Sequence, residues 1–515
     1  MIKENNKAEK KHLIKHKGLR VLFKLFVVIV GITLVFSIGF LILTTKTYLS
    51  GSMNISAYAD KWKHGNGYYS LQYVAYCENP ADITRQCLSI YVPELYMNAD
   101  GTINRKAVIG NYTAETAPIL YINRVSGYRE VASWMLIAPD KKYLEQGYVL
   151  VYPASRGSTT RSKDKQYIGR SPYGLVDLKA GIRFIKANAN NLPGNTDRII
   201  SVGSSAGGAM GSLLGTTGNS GLYTPYLKDI GAIMNSSDDI FATVCYCPVT
   251  DLEHADLGYE WMYGSSESKL NTEFLKDISA ILRADFINYV NSLQTKHPHT
   301  SEPLTFGIDG RSGTFYNYLL EKLNEAATVS FLAEGVKNNY TWISWDGSAA
   351  HITDFNKMIA EHNKRFKGFP SFDSFKMNSM ENVVFGDISD EGTHFCVYIL
   401  FALNTLKDKY PDEYAKYHDA YSAILNNDDL ALRVMLYNPM NFIGTEHDVD
   451  IAPYFRIRVG SKDNHTSYTV SLILALKLQE TGKTNVDHAY IWGAGHGSIA
   501  RADTGLIEWI DTICR

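Results

Sequence analysis

Cysteine is scarce in this chain, with six in 515 residues, too few for a disulfide scaffold. An excess of charge of either sign is also missing. Lys and Arg total 51 against 53 Asp and Glu, a net charge of −2, so there is no electrostatic footprint for nucleic acid. The sequence has no internal repeat and no low-complexity tract. It has no Walker loop, no GxGxxG after a strand, no HExxH and no CxxC, which leaves the usual nucleotide and zinc motifs unfilled. What is present is ordinary globular composition, 45% apolar and 20% charged. That excludes a disordered chain, a fibrous repeat and a polytopic membrane protein.

One long apolar run stands apart. Residues 1–20 hold Lys3, Lys7, Lys10, Lys11, Lys15, Lys17 and Arg20 against Glu4 and Glu9, and Leu25 to Thr45 then carries no charge. As a helix that run spans about 31 Å, the thickness of a bilayer core. The basic flank belongs on the cytoplasmic side, so the rest of the chain is expected outside the cytoplasm. Two readings stand: a signal anchor, or a signal peptide cut after the small-x-small triplet Ala57-Tyr58-Ala59. The anchor is preferred, because the run exceeds a usual signal-peptide core and the triplet lies far beyond its end.

From residue 60 onward, strand-like and helix-like stretches alternate. Strands are expected at Ser70–Cys77, Cys87–Val92, Ala117–Ile122, Tyr148–Pro153, Arg198–Val202, Ile240–Pro248, Tyr454–Val459 and His488–Trp492. Helices are expected at Tyr173–Asn188 and Ser467–Gln479, each with an apolar stripe. The pattern predicts an α/β fold with a mostly parallel sheet covered on both faces. Between about 255 and 430 strand signals are scarce, and helices and long loops are expected. The chain therefore divides into a basic flank (1–20), an apolar anchor or signal segment (21–45), a core in two parts (60–264 and 431–515) and an insertion (265–430). Cys77 and Cys87 flank a strand-to-strand connection and are expected to be able to bridge. Cys245 and Cys247 read as buried thiols.

Residues 198–215 read RIISVGSSAGGAMGSLLG. A β-rich segment runs into Gly203-Ser204-Ser205-Ala206-Gly207 and then into small helix formers. This is G-x-S-x-G in its strand–turn–helix context, which lifts a serine hydroxyl clear of a sheet. Ser205 is the expected nucleophile. Such a serine needs a base and the base needs an orienter, in the chain order Ser, acid, His. Tyr454–Gly460 is followed by Asp463, and His488–Trp492 by His496 between glycines, so these two fill those roles. His351, His394 and His418 read as surface or packing residues, and Asp487, Asp503 and Asp511 as solvated. The oxyanion is expected to meet the amides of Ala206, after the nucleophile, and Gly127, in the loop after Ala117–Ile122.

Five segments resemble the bacterial tannases, relatives of the feruloyl esterases within the α/β-hydrolase superfamily. They are GSSAGGAMGSLLGTTGNS, CPVTDLEHADLGYEW, ENVVFG, IAPYFRIRVGSKDNHTS and WGAGHG, and the likeness covers most of residues 70–515. The resemblance implies a lid inserted late in the chain, an aromatic ester as substrate and no metal or organic cofactor. It also implies three side chains that grip the hydroxyls of a galloyl ring. Lys367 and Glu381 match two of them. The third position, usually an aspartate, is His465 here, and Ser498–Arg501 departs from the family's acidic loop. A carboxylate accepts phenolic hydrogen bonds, whereas a neutral imidazole accepts one and donates one. The expectation is therefore an extracytoplasmic serine esterase acting on esters of hydroxylated aromatic acids. The competing readings are a broad carboxylesterase, a peptidase on the same triad and a catalytically dead binding protein.

Overall fold

The computed structural model describes residues 47–136, 138–265, 269–336, 340–389 and 391–515. The basic flank and the apolar run 25–45 lie outside the described residues. Among the described residues no helix is long and apolar enough to cross a membrane.

Among the described residues nine strands form the main sheet: β1 (Lys63–His64), β2 (Tyr68–Ala75), β3 (Cys87–Pro93), β4 (Pro118–Ile122), β5 (Val149–Pro153), β6 (Asn195–Ser204), β7 (Ala242–Tyr246), β8 (Tyr454–Gly460) and β9 (Asn485–Ile491). Their spatial order is β1-β2-β3-β5-β4-β6-β7-β8-β9. β1, β2, β3 and β5 pair antiparallel, whereas β4 to β9 run parallel. Every residue of β5 and β7 is buried. Such unbroken apolar runs are what a strand covered on both faces requires. Helix α1 (Tyr173–Ala187) is apolar on Leu175, Leu178, Ile182 and Ile185, all buried. Helix α2 (Ala206–Thr216) is so rich in Gly and Ala that it lies close against β6 and β7. The mostly parallel sheet and all eight expected strands are present, with ends shifted by a few residues.

β7 and β8 are hydrogen-bonded neighbours, so everything between Tyr246 and Tyr454 is an excursion from the sheet. It carries α3 (Leu252–Tyr263), α4 (Glu273–Ser292), α5 (Thr314–Glu334), a short helix at Phe355–Glu361, α6 (Met380–Phe385) and three later helices. It also holds a hairpin of Ile343–Trp345 with Ala350–Ile352. Tyr48–Arg515 forms one compact unit.

Two expectations fail. The Cys77–Cys87 bridge is not formed. The β2–β3 register pairs Cys87 with Ala75, which leaves Cys77 past the end of the ladder, where its sulfur accepts from Gln86 Nε2 at 3.9 Å. The three acids near the C-terminus are not simply solvated. Asp503 pairs with Arg456 at 2.6 Å and Asp487 with Arg458 at 2.6 Å, while Asp511 accepts from Tyr112 and Tyr148. Arg456 and Arg458 lie on a buried strand, and a buried guanidinium needs a counter-charge.

Candidate active site

Because β4, β6, β8 and β9 run parallel, the loops that leave their C-terminal ends share one edge of the sheet. Ser205 follows β6 at a sharp turn with φ 61° and ψ −125°, a conformation costly for a residue with a side chain. The turn is held by Ser205 N–H donating to the Tyr246 carbonyl at 2.9 Å. A Cβ on Gly203 would stand 2.2 Å from the Gly207 carbonyl oxygen, and one on Gly207 would stand 2.9 Å from that of Val125. Only glycine fits at either end of the bend.

Ser205 Oγ lies 2.9 Å from His496 Nε2, and His496 Nδ1 lies 2.9 and 3.0 Å from the two oxygens of Asp463. Asp463 is fully buried. Burial pulls the His496 imidazole toward neutrality. Hydrogen bonding to Asp463 and the charge of its carboxylate outweigh that pull, so its pKa lies above the ordinary imidazole value. Cys247 Sγ, Asp463 and His496 offer ligand-type atoms within 4.8 Å of one another. The carboxylate and imidazole of that group are already engaged with each other, the arrangement that orients a base.

The acid and histidine loops brace each other. Ser461 Oγ accepts from Gly493 N–H at 2.8 Å and meets His362 Nε2 at 2.9 Å. Lys462 N–H donates to the Ala494 carbonyl at 2.9 Å, and Asn363 Nδ2 to that of Asp463, also at 2.9 Å.

Ser205, Ala206, Gly127, Lys367, Glu381 and His465 line one cavity of about 470 Å³. Ala206 is the first residue of α2, where an amide has no intrahelical acceptor. Gly127 has φ +55°, and a Cβ there would meet Met380 at 3.3 Å. Lys367 Nζ lies 3.5 Å from Glu381 Oε1 and 3.4 Å from the centre of the Phe372 ring. His465 is stacked between Phe366 (4.8 Å) and His496 (4.1 Å between ring centres). Burial and the neighbouring His496 push its pKa down to about 4, so it is a neutral plate at ordinary pH.

Sequence reasoning passed over the residues that hold this wall in place. Arg365 and Glu260, both wholly buried, form a two-pronged pair at 2.6 and 3.0 Å. Tyr259 Oη accepts from the amides of Phe366 and Lys367 and donates to the Asn464 carbonyl at 2.9 Å. Asp256 receives three consecutive amides, Ser371 to Asp373, at 2.6 to 2.9 Å. All three of Asp256, Tyr259 and Glu260 sit in the CPVTDLEHADLGYEW block. Their spacing on α3 was the available signal, because an acid at that density on a buried helix must have a partner.

A family model described as BD-FAE matches residues 125–298. No curated protein matches the chain. Among solved structures, a tannin acyl hydrolase in complex with 3,4-dihydroxybenzoate is 30% identical, with a TM-score of 0.76 over 89% of this chain and 98% of that one. The Fusobacterium nucleatum tannase is 32% identical, with a TM-score of 0.74 over 88% and 97%. A tannin acyl hydrolase in complex with ethyl gallate is 29% identical, with a TM-score of 0.75 over 89% and 98%.

Proposed function

The chain belongs to the tannase family of α/β-hydrolases, and from that premise we propose that it is a serine esterase cleaving esters of hydroxylated aromatic acids. The observation that carries this reading is the continuous relay from Ser205 Oγ through His496 to Asp463, with 2.9 Å at each step. In this mechanism His496 takes the Ser205 proton as Oγ attacks the ester carbonyl. The Ala206 and Gly127 amides receive the developing oxyanion, an effect worth about 10²–10³ in rate per donor. His496 then returns the proton to the departing alcohol and leaves an acyl-enzyme. Water, deprotonated by the same imidazole, releases the acid. Asp463 holds the imidazole in the tautomer that has Nε2 free to accept. None of these steps draws on a metal or an organic cofactor.

The acyl ring is assigned to the Lys367–Glu381 side of the cavity, where a cation and a carboxylate stand ready for phenolic hydroxyls. His465 favours a looser selectivity than a three-charge grip would give. This supports broad carboxylesterase activity as the second reading.

The location proposed is the outer face of a membrane, with residues 25–45 retained as the anchor. Cleavage after Ala59 would remove packed structure. Leu49 exchanges hydrogen bonds with Tyr73 and Ala75 at 3.0 and 2.8 Å, and Ile55 is buried with its amide on Asn188 Oδ1.

The test compares wild type with Ser205→Ala on methyl gallate, methyl protocatechuate, methyl ferulate and an acetyl ester. The proposal expects turnover of the phenolic esters and a loss of at least roughly four orders of magnitude in the variant. Preference for the acetyl ester would move the substrate claim to the second reading, and undiminished turnover by Ser205→Ala would end the mechanism.

A further inference from the structure

A second cavity, of about 640 Å³, adjoins the first and shares two of its walls, Gly127 and Met380. Its lining differs in kind. Trp134 and Met135, neighbours in sequence, are 55% and 44% exposed and both line this cavity, so its wall carries a small apolar patch. The back of the Trp134 ring faces the Arg85 guanidinium, 5.3 Å from the ring centre, so the indole is held in place. Two more arginines line this space, Arg124 and Arg129. Arg124 is steadied by the Tyr152 ring at 4.8 Å and by the Met135 carbonyl at 3.5 Å. Among the described residues neither Arg124 nor Arg129 has a carboxylate within ion-pair distance. The acid that also lines the cavity, Glu130, is occupied by Thr159 Oγ1 and by Arg85 at 3.6 Å. The cavity thus presents a flat apolar plate beside two positive charges whose neutralisation is left to a ligand.

We propose that this cavity receives the alcohol half of the ester and selects a cyclic alcohol that carries its own carboxylate. The inference rests on the esterase reading above and adds the leaving group to it. Gly127 supplies the geometry. It lines the first cavity together with Ser205 and lines the second cavity as well, so a carbonyl carbon at Ser205 with its acyl ring toward Lys367 has the second cavity within reach of its other substituent. An apolar ring face laid on Trp134 excludes water, and guanidinium forks match a carboxylate in a way a neutral hydroxyl does not.

The test uses methyl, glucose and quinate esters of whichever acid the wild-type enzyme cleaves fastest. The expected kcat/KM for the quinate ester exceeds that of the glucose ester by about tenfold at low ionic strength. The advantage shrinks toward parity in roughly 0.5 M salt, since such pairs are partly exposed. Arg124→Gln/Arg129→Gln removes the advantage while methyl ester turnover stays within about twofold. Arg129→Gln alone, at an exposed position, removes part of it. Trp134→Ala lowers kcat/KM for both ring esters and spares the methyl ester. Equal kcat/KM for the quinate and glucose esters, or an advantage unchanged in both arginine variants, overturns the inference and leaves the esterase reading standing. Failure to cleave even the methyl ester overturns the esterase reading itself, and this inference with it.

Discussion

At the scale of single residues, two histidines in ring contact have opposite tasks. In the proposed mechanism His496 must be neutral to accept the Ser205 proton, and hydrogen bonding to Asp463 raises its pKa. The protonated, inactive form therefore persists to higher pH than for a free imidazole. Activity appears as pH rises through that raised value, so the acid limb of kcat/KM is expected above pH 6.5, the ordinary imidazole range. Asp463→Asn should shift that limb downward and cost roughly 10³- to 10⁴-fold in kcat, because the wrong tautomer becomes populated. A pH–rate profile of both proteins checks the sign, and an unmoved limb contradicts it. His465, held near 4 by burial and by His496, contributes no limb of its own. His465→Asp would install a hydrogen-bond acceptor beside the acyl site. It is expected to raise the preference for methyl gallate over methyl ferulate by about tenfold. An unchanged ratio would show that His465 stands outside the ring subsite.

At the scale of elements, α3 organises the cavity wall that carries Lys367. Tyr259 joins the segment carrying Lys367 to the loop carrying Asp463 through three backbone groups. Tyr259→Phe strands those groups. A loss of about 1–3 kcal/mol in stability is expected, with KM rising more than kcat falls. Denaturant unfolding and steady-state kinetics measure both, and a fall in kcat with KM unchanged would place Tyr259 nearer the chemistry than argued. Arg365→Met leaves Glu260 as an uncompensated buried charge. It should cost about 3–5 kcal/mol, read from the same unfolding curves, with a wild-type midpoint as the contrary result. Elements also mark what the sequence could and could not tell. The strands of the main sheet were legible because they are continuous β-branched and aromatic runs such as Val149–Pro153. The hairpin at 343–352 was not, since its strands have three residues each and no pattern of period two can establish itself in that length. That Ser205, Asp463 and His496 meet was legible from chain order, for a parallel sheet brings successive C-terminal loops to one edge. The partners of Asp256, Tyr259 and Arg365 were not: the acids on α3 signal that partners exist, but those partners lie about 100 residues away along the chain and nothing local says which they are. The Cys77–Cys87 expectation failed for a related reason: strand register, which decides the sulfur positions, is a property of two elements together.

At the scale of the whole molecule, the sheet is a fixed platform and the excursion between β7 and β8 supplies the wall opposite the nucleophile. Tyr48–Arg515 is one compact unit, so a chain beginning at Tyr48 should be soluble and as active as the 515-residue chain. On the proposed location, the 515-residue chain should partition with membranes. Recovery of soluble protein starting at Asp60 from cells would contradict the anchor.

The claim on which the rest depends is that Ser205 is the attacking group. Labelling the protein with a fluorophosphonate and mapping the adduct by peptide mass spectrometry tests it directly. The account predicts one adduct, on Ser205, with esterase activity lost in step with labelling and no adduct in Ser205→Ala. An adduct elsewhere, or hydrolysis that continues after Ser205 is fully modified, would contradict it.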